Sequence, residues 1–307
     1  MTGTAKNKIG RNAIRLSAGD RLFSVVNTFL LIVIMLVVLY PLIYIVSSSF
    51  SAPAAVTSGR VWLYPVDATL VGYQTAFKHS KIVPSFMNSI IITVVGTCIN
   101  VICTVMVAYP LARKTFFGKG FLTGLFTFTM LFNGGLIPTF LVIRKLGFYD
   151  SYGALWLPGA VSVYNMIVAR TFFQNTIPDE LYEAGELDGC SDLMFLMKIA
   201  IPLSMPIIAV LVMFYAVGHW NSYFNAMVYL RDTSKYPLQN VLREILIANR
   251  MTDDRMMQNA DVMLRKQGLA DLLRYSLIVI STTPMMLVYP FVQRHFVKGV
   301  LIGALKG

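Results

Sequence analysis

Residues 30–39 read LLIVIMLVVL, ten apolar side chains in succession with Tyr40 behind them. A surface helix of a soluble protein would turn polar residues outward within that length, and a membrane-barrel strand would alternate apolar with polar. Neither pattern is present, so the stretch reads as a helix with hydrocarbon on every side. Working outward, no Asp, Glu, Lys or Arg occurs in 22–59, nor in 82–112, 120–143, 151–169, 199–230 or 275–293. Each window has 19 or more residues, against the roughly 20 apolar helical residues that cross a layer of about 30 Å. Only helices and closed barrels satisfy their backbone groups there. The expectation is an all-α membrane protein with six transmembrane helices, at about 22–49, 85–112, 120–143, 151–169, 199–230 and 275–293. Charged residues make up 13% of the 307-residue chain and hydrophobic ones 56%, whereas soluble domains carry about 25% charge. A soluble enzyme is excluded. The formal charge of +11 is spread among the segments between windows, so no basic patch for nucleic acid forms.

Six crossings put both termini on one side. The tail 1–21 carries Lys6, Lys8, Arg11, Arg15 and Arg21 against Asp20, which places both ends, including the tail 294–307, in the cytoplasm of a prokaryotic cell, with the chain multi-pass in its membrane. On that assignment 13 Lys and Arg lie inside and 5 in the short outer loops. Another 8 lie in the long outer segment 231–274, and long translocated segments weigh little in orientation. The first apolar run exceeds the ~7–15 residues of a signal-peptide core, so it reads as an uncleaved helix. Cys98, Cys103 and Cys190 have neither disulfide nor metal-ligand spacing.

Ionisable residues inside membrane helices mark proton relays, ion sites or active sites. The windows hold a single such candidate, His219, beside Trp220 near the end of the fifth, and that pairing reads as interfacial. There is no HExxH and no GxxxxGK[ST], so no catalytic residues are assigned and the chain does not hydrolyse ATP by itself. Energy for uphill transport would arrive from another subunit, through a cytoplasmic loop.

The loop 170–198 fits that role. Its centre, 179–192, reads DELYEAGELDGCSD, with six acids and no base. Anionic lipid would repel it, so its charges want water or a basic protein surface. Pro178 suits a first helical position, and Asp179 and Glu180 lie in the first turn, where the helix dipole favours negative charge. Leu181, Ala184 and Leu187 recur at spacings of three and predict an apolar face. Asp188 and Gly189 signal a C-cap, and Ser191 with Asp192 can cap a following apolar helix over 193–197. Ala184, Gly185 and Gly189 leave the surface nearly bare of side chain, so that another backbone can approach. The expected product is a rigid, acid-rimmed knob.

Glu183, Ala184 and Gly185, then three residues, Gly189, nine residues, and Ile199, Ala200, Ile201 and Pro202 resemble the EAA motif of ABC-importer permeases, EAA-x3-G-x9-I-x-LP. Gly185 stands for the second Ala and Ile201 for Leu, both small or apolar changes. The pieces around the motif are similar to the second permease of maltose-type sugar importers. They are Phe172 and Phe173 before it, Leu203 and Ser204 after Pro202, Tyr236 to Gln239, and the FVKG at 296–299. The resemblance covers essentially the whole chain and is nearest to permeases for complex, polysaccharide-derived oligosaccharides. It implies a type I ABC-importer permease fold, with 22–293 as the transmembrane domain. It also implies a paralogous permease, a pair of cytoplasmic ATPase subunits that bind ATP and Mg, and an extracytoplasmic sugar-binding protein, with no cofactor in this chain. Glu183, Ala184, Gly185, Asp188, Gly189, Ile199 and Pro202 would then couple to the ATPase.

Amides bond sugar hydroxyls and rings stack on sugar faces, so Asn133, Asn221, Asn225, Trp220 and Tyr223 are candidates for the substrate path, with Asn88, Asn100, Asn165 and Tyr164 behind them. Each also suits an interhelical hydrogen bond or an aromatic belt. Asn221 and Asn225, four apart, would share one helix face. Asn133, Gly134 and Gly135 followed by Pro138 should interrupt the third span, as is tolerated where backbone lines a cavity or is buried in protein. The outer segment 231–274 would meet the binding protein, with short helices at 260–263 and 269–273. Two other functions stay open: a membrane enzyme acting on lipid-linked sugar, and a stand-alone facilitator.

Overall fold

The computed structural model describes residues 17–253 and 260–304; most of the basic N-terminal tail lies outside them. Among the described residues every regular element is helical. Helix α1 (Ala18–Ser49) begins at a capping box, in which Ser17 Oγ accepts from the Gly19 N–H and the Asp20 carboxylate accepts from the Ser17 N–H. Short helices α2 (Pro53–Thr57) and α3 (Val71–Lys78) lead to α4 (Ile82–Ala112). Next come α5 (Lys119–Leu131) and α6 (Leu136–Lys145), bent by 116° at the break foreseen from Asn133, Gly134 and Gly135. There the Gly135 N–H donates to Asn133 Oδ1 at 2.8 Å, and Gly135 has φ +86°, a value that suits glycine.

The window 151–169 is not one helix. It divides into α7 (Gly153–Trp156) and α8 (Val163–Thr176), because Pro158 lacks an N–H to continue a helix and Gly159 follows it. The loop helices α9 (Asp179–Leu187) and α10 (Asp192–Phe195) come next, then a π-helical turn, Leu196–Ala200, and α11 (Ile201–Leu203). At Ser204 the chain bends by 83° into α12 (Met205–Asn221). Helices α13 (Phe224–Tyr229), α14 (Leu238–Asp253) and α15 (Ala260–Ala304) complete the fold. The short helices expected at 260–263 and 269–273 are instead part of the 45-residue α15, which runs straight on into the last apolar window.

By length and composition, α1, α4 and the Gly268–Pro290 stretch of α15 can each cross a membrane, and the two bent pairs bring the candidates to five. At the centre α4 packs on α8 and α12. Its buried face carries a stripe of small and polar residues at helical spacing, Ser85, Ser89, Thr93, Gly96, Thr97, Asn100 and Thr104, beside large apolar ones such as Ile92 and Tyr109. The hydroxyls of Thr104 and Tyr215 share a hydrogen bond of 2.6 Å, and the Ser162 N–H donates to the same Tyr215 oxygen. Such bonds hold α4, α12 and the start of α8 together where hydrophobic burial supplies no drive between helices. A large apolar cluster, including Tyr109, Phe173, Phe195 and Leu211, ties the C-terminal end of α4 to α8, α10 and α12.

Candidate functional site

The acidic loop folds as two helices meeting at a turn. Pro178 sits just outside α9 as its N-cap, Asp188 caps its end, and Gly189 takes φ +76°. Ser191 Oγ accepts from the Met194 N–H to start α10. The inward face of α9 is Leu181, Tyr182 and Gly185, not Leu181, Ala184 and Leu187 as spacings of three suggest. At 3.6 residues per turn, two steps of three carry Leu187 about 120° away from Leu181. Leu187 is 89% exposed and Leu193 70%, so the tip shows apolar side chains as well as Glu183, Glu186 and Asp188. Gly185 is not on the exposed crown. It is buried, and a Cβ there would come 2.9 Å from the Phe195 ring.

The basic partner that some of the acids need is the chain's own α4–α5 turn. Lys114 Nζ lies 2.5 Å from Asp179 Oδ2, and Arg113 stacks over the Tyr182 ring. Tyr182 also donates to Asp192 and meets Phe195 edge to face. The hydrogen bond to the Asp192 carboxylate, with burial, pushes the Tyr182 phenol up to about 12, and the bond to Asp179 raises Lys114 above its ordinary value. A cleft of about 280 Å³ lies between Arg113, Lys114, Asp179, Tyr182, Tyr109 and Phe173. Arg170 Nε donates to the Leu111 carbonyl, so the base of the loop is bonded to the end of α4. Ile199 lies in the π turn and Pro202 in α11, where the loop joins α12.

A second cavity, of about 520 Å³, opens between α4, the α5–α6 break, α7, α12 and α13. Asn133 and Asn225 line it, as do Asn100, Thr139, Tyr215, His219 and Ser222; Asn221, Trp220 and Tyr223 do not. Trp220 is buried, donates to the Ser281 carbonyl at 2.8 Å and packs edge to face on Phe86, so it anchors α12 to α15. The Tyr223 ring lies under Arg243. Asn221 and Asn225 do not share a helix face, because Asn221 donates back to the Val217 carbonyl at 3.0 Å and Ser222 leaves the helix before α13 begins. Asn88 donates to the Ser234 and Tyr236 carbonyls and thereby fastens the 234–236 turn to α4.

His219, which the sequence suggests is interfacial, belongs to the cavity wall. Its Nε2 lies 2.6 Å from Asn100 Oδ1, and Asn100 Nδ2 donates to the Gly159 carbonyl at 2.6 Å. Gly96 makes room for it, since a Cβ there would fall 2.6 Å from His219 Nε2 and 2.8 Å from Trp156 Cδ1. The signal that was available is the α4 stripe, which marks the face where a polar partner must sit. Near the cavity, Asp150 (φ +59°) closes a clasp: its Oδ1 accepts from the Arg231 and Asp232 N–H groups, each at 3.0 Å, and Lys235 Nζ donates to its carbonyl. The backbone N–H of Asp232, then that of Arg231 and the Lys235 ammonium, hold the Asp150 carboxyl below its ordinary value.

A polar cavity whose lining holds no Asp, Glu, Lys or Arg, walled in part by a helix that joins an acidic two-helix loop, defines a membrane transport subunit. No protein-family profile matches the chain. Protein LplC of Bacillus subtilis (strain 168) is 42% identical over 289 residues, covering 94% of this chain and 96% of that one. The polygalacturonan/rhamnogalacturonan transport system permease protein YtcP of the same organism is 40% identical, covering 94% and 99%. The fold also matches a crystal structure of a bacterial ABC transporter involved in the import of the acidic polysaccharide alginate, with TM-score 0.81 and 36% identity over 92% of this chain and 99% of that one. The chain belongs to the sugar-transporting family of ABC-transporter permeases, integral proteins of the bacterial cell membrane that serve as transport subunits and not as enzymes.

Proposed function

We propose that this chain forms half of the translocation path of an ATP-driven importer for oligosaccharides derived from a polysaccharide. The observation that carries this is the continuity of α12. One end of that helix lines the polar cavity through Tyr215, His219 and Ser222, and the other joins the acidic loop through the bend at Ser204. The relatives named for polygalacturonan/rhamnogalacturonan transport and for alginate import support the cargo class.

On this proposal the chain crosses the membrane six times, with α7 and α8 together as the fourth crossing and both termini in the cytoplasm. Residues 22–293 form the permease domain between the tails 1–21 and 294–307. The exposed Glu183, Ala184, Asp188 and Gly189 seat in a cleft of a separate ATPase, which binds the ATP and Mg, while Gly185, Ile199 and Pro202 shape the knob and its joint. A paralogous permease completes the path and an extracytoplasmic sugar-binding protein delivers the cargo. Asn133 and Asn225 offer amides to sugar hydroxyls. In the assembled complex, Glu183→Lys and Gly189→Trp should each abolish most sugar-stimulated ATP hydrolysis. Turnover at the wild-type rate in both variants would refute the coupling role.

A further inference from the structure

Among the described residues that line the larger cavity there is no Asp, Glu, Lys or Arg, and His219 is the side chain that can become a cation. Its surroundings settle where its protons go. The Gly159 carbonyl can only accept, so Asn100 turns Nδ2 toward it and presents Oδ1 to the imidazole. Facing an acceptor, Nε2 keeps its proton whether the ring is neutral or charged, and any second proton goes to Nδ1. Asn100 and Gly96 of α4 lie against the ring, Gly96 through a backbone hydrogen bond as well, and Trp156 and Gly159 stand next to them; none brings an acid or base to it. The cavity's other titratable groups are the phenols of Tyr215 and Tyr229.

We infer that His219 recognises the carboxylate of an acidic sugar, so that the oligosaccharides passing through this half of the path are uronates; this rests on the cargo proposed above. A carboxylate that leaves water for a charge-free cavity must find a partner. A proton taken up at Nδ1 supplies one, and the single uronate carboxylate that meets His219 forms a neutral pair with the imidazolium. A neutral sugar finds only amides and hydroxyls there and gains nothing from that proton. Imidazole changes charge between about pH 5 and 8, so recognition of the acid form tightens as pH falls and recognition of a neutral form does not.

The test uses the complete transporter, with its partner subunits, in proteoliposomes. Uptake of trigalacturonate is compared with uptake of its methyl ester at about pH 6 and pH 8, in wild type and His219→Gln, which keeps a donor for Asn100. The sugar-binding protein is the same throughout, so the change in the acid-to-ester ratio of KM between variants reports on the permease. The expected result is a ratio about tenfold less favourable to the acid in His219→Gln at pH 6, as befits loss of a charge-assisted hydrogen bond. The difference between the variants should shrink at pH 8. Uptake of both sugars with the same ratio in the two variants overturns the role of His219 and leaves the cargo proposal standing. Uptake of neither sugar despite ATP hydrolysis overturns the cargo proposal and this inference with it.

Discussion

Helices α1 and α4 are alike in length, 32 and 31 residues, and both are free of charge through their apolar windows, yet they occupy opposite environments. None of the α1 window is buried within the chain, whereas 39% of the α4 window is. The difference lies in the minority residues. The middle of α1 offers only large aliphatic side chains to its surroundings, while α4 carries its stripe of Ser, Thr, Gly and Asn at intervals of three and four. Hydrocarbon content says that a helix enters the membrane; the spacing of its small and polar residues says which side meets protein.

The comparison breaks most sharply at Gly96. Gly96→Leu should drive a side chain into His219 and Trp156 and destabilise the chain by about 3 kcal/mol, read as a large loss of thermal stability in detergent, while Val33→Leu on α1 should leave it unaltered. Next in size is Gly185→Ala in the loop. The gain in helix propensity of about 1 kcal/mol is opposed by overlap with the buried Phe195 ring. A double-mutant cycle with Phe195→Leu should therefore show a favourable coupling of about 1 kcal/mol, and additivity would place Gly185 outside the packing described. Smaller still, Thr104→Val removes the bond to Tyr215 and should cost about 0.6 kcal/mol, against no measurable cost in the isolated chain for Leu36→Ala on α1.

The smallest effect concerns pH and comes from neither helix. Because the folded Asp150 carboxyl lies below its unfolded value of about 3.9, its clasp contributes fully above that pH and is lost as pH falls through the lowered value. Hydrogen-exchange protection of the Arg231 and Asp232 amides should fall below about pH 4, and in Asp150→Asn the pH dependence should disappear.

Much of this was legible in the sequence because it rests on local chemistry. The charge-free windows, the break after Asn133, the cap at Ser191 and the turn at Gly189 follow from residues acting on their immediate neighbours. What escaped depends on which face meets which. Leu187 matches Leu181 in composition and not in direction. Gly185 reads as bare surface until Phe195 folds over it. Asn221 and Asn225 share a face only if the helix continues, and the Asn221 amide bonded to Val217 sits where it stops. His219 looks solitary in the chain because its partner, Asn100, is 119 residues away.

The bend at Ser204 makes α12 a lever. Its 17 residues span about 25 Å, so a swing of about 10° about that fulcrum sweeps the far tip through about 4 Å, on the scale of one helical pitch. Were the knob driven as proposed, a modest nudge there would be magnified into a stroke at the wall where Tyr215, His219 and Ser222 stand.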